Sequence, residues 1–164
     1  MSTMTMQEAA QSFLSNKQIA VAGVSREADG AHSGNAVYNR LKETGFEVFA
    51  VNPAADEVEG DRSYRSLAEI PGGVEAVVIA THPDAAPAVM RDCVDLGVKH
   101  VWMHRAFGRG SFSSEAVSIG REGGVTVIPG GCPLMFEPCR DGAHKFMRTV
   151  LSWTGAVPRK VQAS

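Results

Sequence analysis

The sequence predicts an α/β domain in which a five-stranded parallel sheet is packed between two helical layers. Two observations carry that prediction. Short runs rich in Val and Ile occur at Ile19–Val24, Phe46–Val51, Val74–Thr81, Val98–Met103 and Val125–Ile128, and none alternates cleanly with polar residues. Such runs read as strands buried on both faces. Segments of helical period fill most of the gaps between them, and alternating strand and helix implies parallel βαβ units. The expected architecture is a Rossmann-like three-layer sandwich with strand order 3-2-1-4-5, on a single domain covering residues 1–164.

A lead-in helix is expected over Met6–Leu14. After the first strand, Gly34, Val37, Tyr38, Leu41 and Gly45 share one helical face, with Gly45 placed as the glycine that ends the helix. The connection from Asn52 to Gly73 is mostly polar, and Ser66–Ile70 predicts only a short helix or 3₁₀ turn. Ala86, Val89, Met90 and Cys93 form the next stripe, with Pro83 expected at its first turn and Gly97 near its end. Ala116 and Ile119 mark a shorter helix with Glu115 favouring its amino end. Asp141 is placed to cap a last helix whose face carries Ala143, Met147, Val150, Leu151 and Thr154, and Gly155 ends it. The core is expected over residues 17–155, with residues 156–164 as a loose basic tail.

Composition narrows the function classes. The 16 basic and 18 acidic residues leave a net charge of −2, which argues against a nucleic-acid binder. No apolar run is long enough to span a bilayer, and the amino terminus lacks the basic start and apolar stretch of a signal peptide. The three cysteines are odd in number and without tight spacing, which suits a reducing, cytoplasmic setting. Exposed Phe146 and Trp153 on the last helix point to an interface, read as a homodimer.

Chemistry is expected in the loop after the first strand. Ligands of parallel α/β sheets bind beyond the carboxyl ends of the strands, where strand order reverses. There Gly23 permits close approach of a ligand to the backbone. The helix opening at Ser33–Asn35 offers unpaired N–H groups and a positive dipole end suited to phosphate. Ser25 adds a hydroxyl and Arg26 a charge, and Asp29 and His32 lie in the same loop. The dinucleotide fingerprint is not met. The turn reads Gly23-Val24-Ser25, and the second strand ends in Asn52-Pro53 instead of an acid that would hold a ribose.

Five ordered stretches resemble one family. They are Ile19-Ala-Val-Ala-Gly-Val-Ser25, Gly45-Phe-Glu-Val-Phe-Ala-Val-Asn-Pro53, Gly60 to Leu67 with Tyr64 and Ser66, Gly97-Val-Lys-His-Val-Trp102, and Gly130-Gly-Cys-Pro133. Together they resemble the stand-alone coenzyme A-binding proteins related to the N-terminal domain of the succinyl-CoA synthetase α subunit. Pro133-Leu-Met-Phe136, with Asp141, Gly142 and His144, looks like a bacterial branch of that family.

The resemblance implies a site for CoA or an acyl-CoA. Gly23, Val24, Ser25, Arg26 and Ser33 would meet the pyrophosphate, and Asn52 and Pro53 would border the adenosine. Thr81, His82 and Pro83 would follow the adenine, Met103 and His104 would line the pantetheine arm, and Cys132 would sit near its inner end. The family's Pro-x-x-Arg after the serine is replaced by Arg26-Glu-Ala-Asp-Gly30, which leaves the 3′-phosphate contact open, with Arg26 and Lys17 as the cations at hand. If the resemblance holds, a chain of 164 residues is expected to keep the CoA module without the further domain that carries the relative's phosphohistidine.

No catalytic set is evident, so a non-catalytic carrier, sensor or partner module leads. A small NAD(P)-dependent oxidoreductase is the alternative, with Tyr38 and Tyr64 as its only tyrosines and neither followed by a lysine at helical spacing. A third reading has Cys132 forming a mixed disulfide with the CoA thiol; spacing shows no partner base for it, and His82 and His104 are at neighbouring strand ends. Cys93 reads as core. His100 with His104, and Cys132 with Cys139, match no standard zinc spacing. No metal site is expected.

Overall fold

The computed structural model describes residues 2–27, 32–106 and 108–164. Its elements, in chain order, are β1 (Thr3–Thr5), α1 (Met6–Leu14), β2 (Gln18–Ala22), α2 (Ser33–Glu43), β3 (Glu47–Val51), β4 (Glu57–Val58), β5 (Asp61–Tyr64), β6 (Ala76–Ile79), α3 (Ala86–Asp95), β7 (His100–Met103), α4 (Ser114–Glu122), β8 (Thr126–Ile128), α5 (Gly142–Thr154) and β9 (Lys160–Gln162). Short 3₁₀ turns lie at Leu67–Glu69 and Pro133–Met135.

A seven-stranded sheet runs β4-β5-β3-β2-β6-β7-β8, parallel throughout except for the β4–β5 pair. Successive residues of each central strand go to opposite faces. Ile19, Val21, Val78, Trp102 and Ile128 pack with α1, α2 and Leu151 of α5. Ala20, Ala22, Val77, Ile79, Val101, Met103 and Val127 pack with α3, α4 and the Leu67 turn. These are the three layers the apolar runs predict. Trp102 anchors the first layer: its ring meets Phe13 edge-on at 5.3 Å, and its Nε1 donates to the Gly130 carbonyl at 2.9 Å. An indole can be wholly enclosed only when its N–H has such a partner.

The strand count and order differ from expectation. The missed strand is β5, whose sequence Asp61-Arg62-Ser63-Tyr64 has no apolar run. It pairs with β3 only at Ala50↔Ser63 and Val51↔Tyr64, and its first residues pair antiparallel with the preceding β4 as a hairpin. The five expected strands therefore stand in the order 2-1-3-4-5. Counting β5 as the third parallel strand restores the pattern 3-2-1-4-5-6, and the reversal falls between β2 and β6.

The helices follow their stripes closely. Thr5 and Glu8 form a reciprocal capping box on α1, and Asp141 accepts from the His144 N–H at the start of α5. Pro83 does not open α3. It sits in the preceding turn, and Pro87 occupies the first turn of the helix. The face expected for α5 is mostly uncovered, with Leu151 its single buried residue. The tail is not loose: β9 pairs antiparallel with β1, and Ala156, Val157 and Val161 are buried. Its apolar side chains close over the β8 side of the sheet, a role its basic residues conceal.

Candidate functional site

Three backbones converge where strand order reverses. Gly23 follows β2 with φ +102°, and its N–H donates to the Val51 carbonyl at 3.2 Å. A Cβ at Gly23 would stand 2.5 Å from the Ala80 carbonyl oxygen after β6. A Cβ at Gly34, in the first turn of α2, would run into the Gly23 carbonyl. Only glycine at both positions lets the β2 end, the β6 end and the helix start come this close.

Asn35 fixes the loop that leaves Gly23. It is 3% exposed. Its Oδ1 accepts from the Ser25 N–H at 2.8 Å, and its Nδ2 donates to the Ser25 carbonyl at 2.9 Å and to Glu59 Oε1 at 2.7 Å. The Ser25 hydroxyl oxygen accepts from the Glu27 N–H at 3.1 Å, so its own proton stays available to a ligand. The cap residue of α2 is His32, whose side chain makes no capping bond, and no acid lies in the first turn. Among the described residues no side chain caps the first N–H groups of α2, which suits that end to an anion.

The neighbouring strand ends complete a cleft of about 450 Å³, lined on one side by Gly23, Val24 and Ser25 and on the others by Asn52, Pro53, Arg65, Thr81 and His82. That volume is ordinary for a small-molecule site. Asn52 is held by its N–H on the Tyr64 carbonyl and by Nδ2 on the Val24 carbonyl at 2.9 Å. Its Oδ1 accepts from the Ala54 N–H at 2.8 Å and tightens the turn at the β3 tip. His82 Nδ1 accepts from the Asp84 N–H at 3.3 Å.

The residues expected at the site divide into three groups. Gly23, Val24, Ser25, Asn52, Pro53, Thr81 and His82 line the one cleft. Arg26 and Ser33 are exposed beside it, Ser33 as the first residue of α2 and not its cap. Pro83, Met103, His104 and Cys132 are buried and outside the lining. Met103 is fully enclosed between the sheet and α3 and α4. Burial, and then the nearby His144, push the His104 pKa down to about 4, so its ring is neutral at pH 7. Cys132 is 2% exposed, and burial pushes its thiol up to about 12, the opposite of an activated nucleophile. Gly30 and Asp29 lie outside the described residues.

Among the lining residues that the sequence reading did not assign to the site are Arg65 and Ser66, and Asp92 of α3. Arg65 and Ser66 follow β5, the strand that the apolar pattern could not reveal. Tyr38 and Tyr64 are not in the lining, and the Tyr38 hydroxyl donates to Asp61 at 2.7 Å. Among the described residues no three His, Cys, Asp or Glu side chains form a metal-binding group, and no helix is long and apolar enough to cross a membrane.

A glycine turn, an uncapped helix start and a cleft at the switch point of a parallel sheet define a nucleotide-binding α/β domain. Residues 17–138 match the CoA-binding domain family, and the chain belongs to it. The α subunit of ADP-forming acetate–CoA ligase II from Pyrococcus furiosus is 32% identical over 127 residues, 73% of this chain and 27% of the subunit. The uncharacterized protein YneT of Bacillus subtilis is 29% identical over 117 residues, 71% of this chain and 82% of YneT. The chain thus spans about a quarter of the ligase subunit but most of YneT. A hypothetical protein from Pyrococcus horikoshii superposes with a TM-score of 0.67 at 27% identity, covering 76% of this chain and 83% of that one. The oxidoreductase alternative finds no support among these relatives.

Proposed function

We propose that this chain binds coenzyme A or an acyl-CoA in the cleft between β2 and β6, as a cytoplasmic carrier, sensor or partner module without chemistry of its own. The observation that carries the reading is the Gly23–Gly34 contact. It brings the start of α2, which no described side chain caps, and the Ser25 hydroxyl together at the switch point. In this reading Gly23, Val24, Ser25, Arg26 and Ser33 meet the pyrophosphate. Asn52 and Pro53 border the adenosine, and Thr81 and His82 face the adenine. The pantetheine arm runs out toward the carboxyl end of β7, above His104.

The non-catalytic part rests on what the lining offers. His32 and His82 share the lining with Ser25, but among the described residues no hydrogen bond joins either ring to its hydroxyl, and Cys132 is sealed below the surface. The homodimer is carried by the outer face of α5, where Phe146, Val150 and Trp153 recur at helical spacing and are 72%, 39% and 80% exposed. An isologous helix pair would cover that stripe twice over.

Isothermal titration with CoA, acetyl-CoA and NADPH tests the ligand. We expect CoA and acetyl-CoA to bind below millimolar concentration and NADPH to bind more weakly. Absence of CoA binding, or a preference for NADPH, overturns the reading. Turnover of acetyl-CoA by the purified protein with ADP and phosphate would overturn the non-catalytic part alone.

A further inference from the structure

We infer that Arg65 is the residue that recognises the phosphate monoester on the adenosine ribose of the ligand, and so separates CoA from its dephosphorylated form. The inference rests on the CoA reading above and adds to it a specificity residue that lies outside the matched glycine and Asn-Pro motifs.

Among the described residues lining the cleft, Arg65 is the single arginine or lysine. The candidates visible in sequence do not serve. Lys17 precedes β2 and so lies at the amino end of the sheet, away from the cleft. Arg26 is exposed in the loop and outside the lining. A ribose monoester adds up to two negative charges that the helix start at the pyrophosphate cannot also satisfy, because the dipole acts only within the first turn.

Arg65 stands where such a group would fall. In sheets of this kind the ribose lies at the tip of the second parallel strand, and an arginine nearby accommodates a phosphate on it. Here that tip is Asn52-Pro53 after β3, and Arg65 Nη1 lies 3.4 Å from the Pro53 carbonyl. The side chain is already aimed. The Arg65 N–H donates to Glu69 Oε2 at 3.1 Å, and its Nε donates to Asp56 Oδ1 at 3.0 Å. The Nη2 edge has no partner among the described residues. Both members of the Arg65–Asp56 pair are more than half exposed, 55% and 81%, so the pair is worth little and exchanges readily. A phosphate dianion offers the same planar fork a stronger, bidentate set of bonds.

The test is titration of the wild type, Arg65→Ala and Arg65→Lys with CoA and dephospho-CoA, and with NADP and NAD as a second source of a ribose phosphate monoester, on the neighbouring 2′ oxygen. Wild type is expected to prefer CoA to dephospho-CoA by roughly tenfold to a hundredfold, the range of a hydrogen bond to a charged group. In Arg65→Ala that preference should vanish while dephospho-CoA binds within about twofold of wild type, and Arg65→Lys should restore part of it. Equal binding of both ligands by the wild type overturns the assignment, as does an equal loss of both in Arg65→Ala. Loss of both is what a purely structural role at Asp56 and Pro53 predicts. If the wild type binds neither CoA nor dephospho-CoA, the CoA reading falls and this assignment falls with it. If NADP outbinds CoA and the NADP preference alone depends on Arg65, the monoester site stands but its CoA assignment is overturned.

Discussion

The Asn35 side chain pairs with both backbone groups of Ser25, accepting at 2.8 Å and donating at 2.9 Å. The same amide donates to Glu59, the one non-glycine residue with positive φ among the described residues. One buried side chain thus ties together the ligand loop, the start of α2 and the β4–β5 hairpin. Replacing Asn35 with Ala strands the half-buried N–H and carbonyl of Ser25. Chemical denaturation should show a loss of about 1–3 kcal/mol. CoA affinity should fall as well, because Ser25 is no longer held. Unchanged affinity in a folded variant would show that the loop does not need its clamp.

Gly23→Ala attacks the same junction through the backbone. It places a Cβ against the Ala80 carbonyl and asks an L residue to hold φ +102°. The conformational cost alone is about 1–3 kcal/mol, and the clash adds to it. A thermal melt should fall by several degrees, with ligand binding lost in the folded fraction. Gly45→Ala is the control: it has a positive φ but nothing within 4 Å, so it should cost stability and spare binding.

Stability should decline in mild acid because of His104. Burial holds its folded pKa near 4, below the ordinary 6.5 of the unfolded chain. As pH falls below about 6.5 the unfolded state takes up a proton that the native state refuses. Stability is therefore lost between pH 6.5 and 4, with a slope of up to about 1.4 kcal/mol per pH unit. Below that window the slope from this residue ends. Urea midpoints across pH 4–7 for the wild type and His104→Gln measure it. A profile of the same steepness in both proteins would assign the acid sensitivity elsewhere.

Cys132 should resist thiol reagents. Its pKa near 12 and its 2% exposure deny it both thiolate and access. Native protein at pH 8 should leave Cys132 unmodified by iodoacetamide, and urea-unfolded protein should react fully, as peptide mass mapping would show. Rapid native alkylation at Cys132, or a CoA mixed disulfide there, would revive the thiol-redox reading.

The outer face of α5 makes the oligomer testable. Glutamate at Phe146 and Trp153 together should convert a dimer to a monomer in sedimentation velocity and leave CoA binding intact, because neither residue lines the cleft. A wild type that sediments as a monomer at high concentration removes the homodimer.

Where burial writes a pattern into the chain, the fold was legible. The central strands are apolar because both of their faces are covered, and the lead-in helix expected over Met6–Leu14 is α1. The glycine turn after β2 and the Asn-Pro tip of β3 were readable because each is a local backbone requirement. Strand β5 was not, since Asp61, Arg62 and Ser63 owe their strand to pairing with β3 and β4 and not to their own propensity. The tail was misread for a similar reason: β9 exists only because β1, at the far end of the chain, lies beside it.

By itself the sequence determined the layered α/β architecture, the glycine turn after the first strand and the family, because these rest on periodicity and short contiguous motifs. Tertiary structure alone decided which side chains share the cleft. It enclosed Met103 and Cys132 beneath the sheet ends and brought Arg65 beside Pro53. The physical reason is that a parallel sheet gathers its site from loops distant along the chain, and the order of strands, set by pairing, chooses which loops meet.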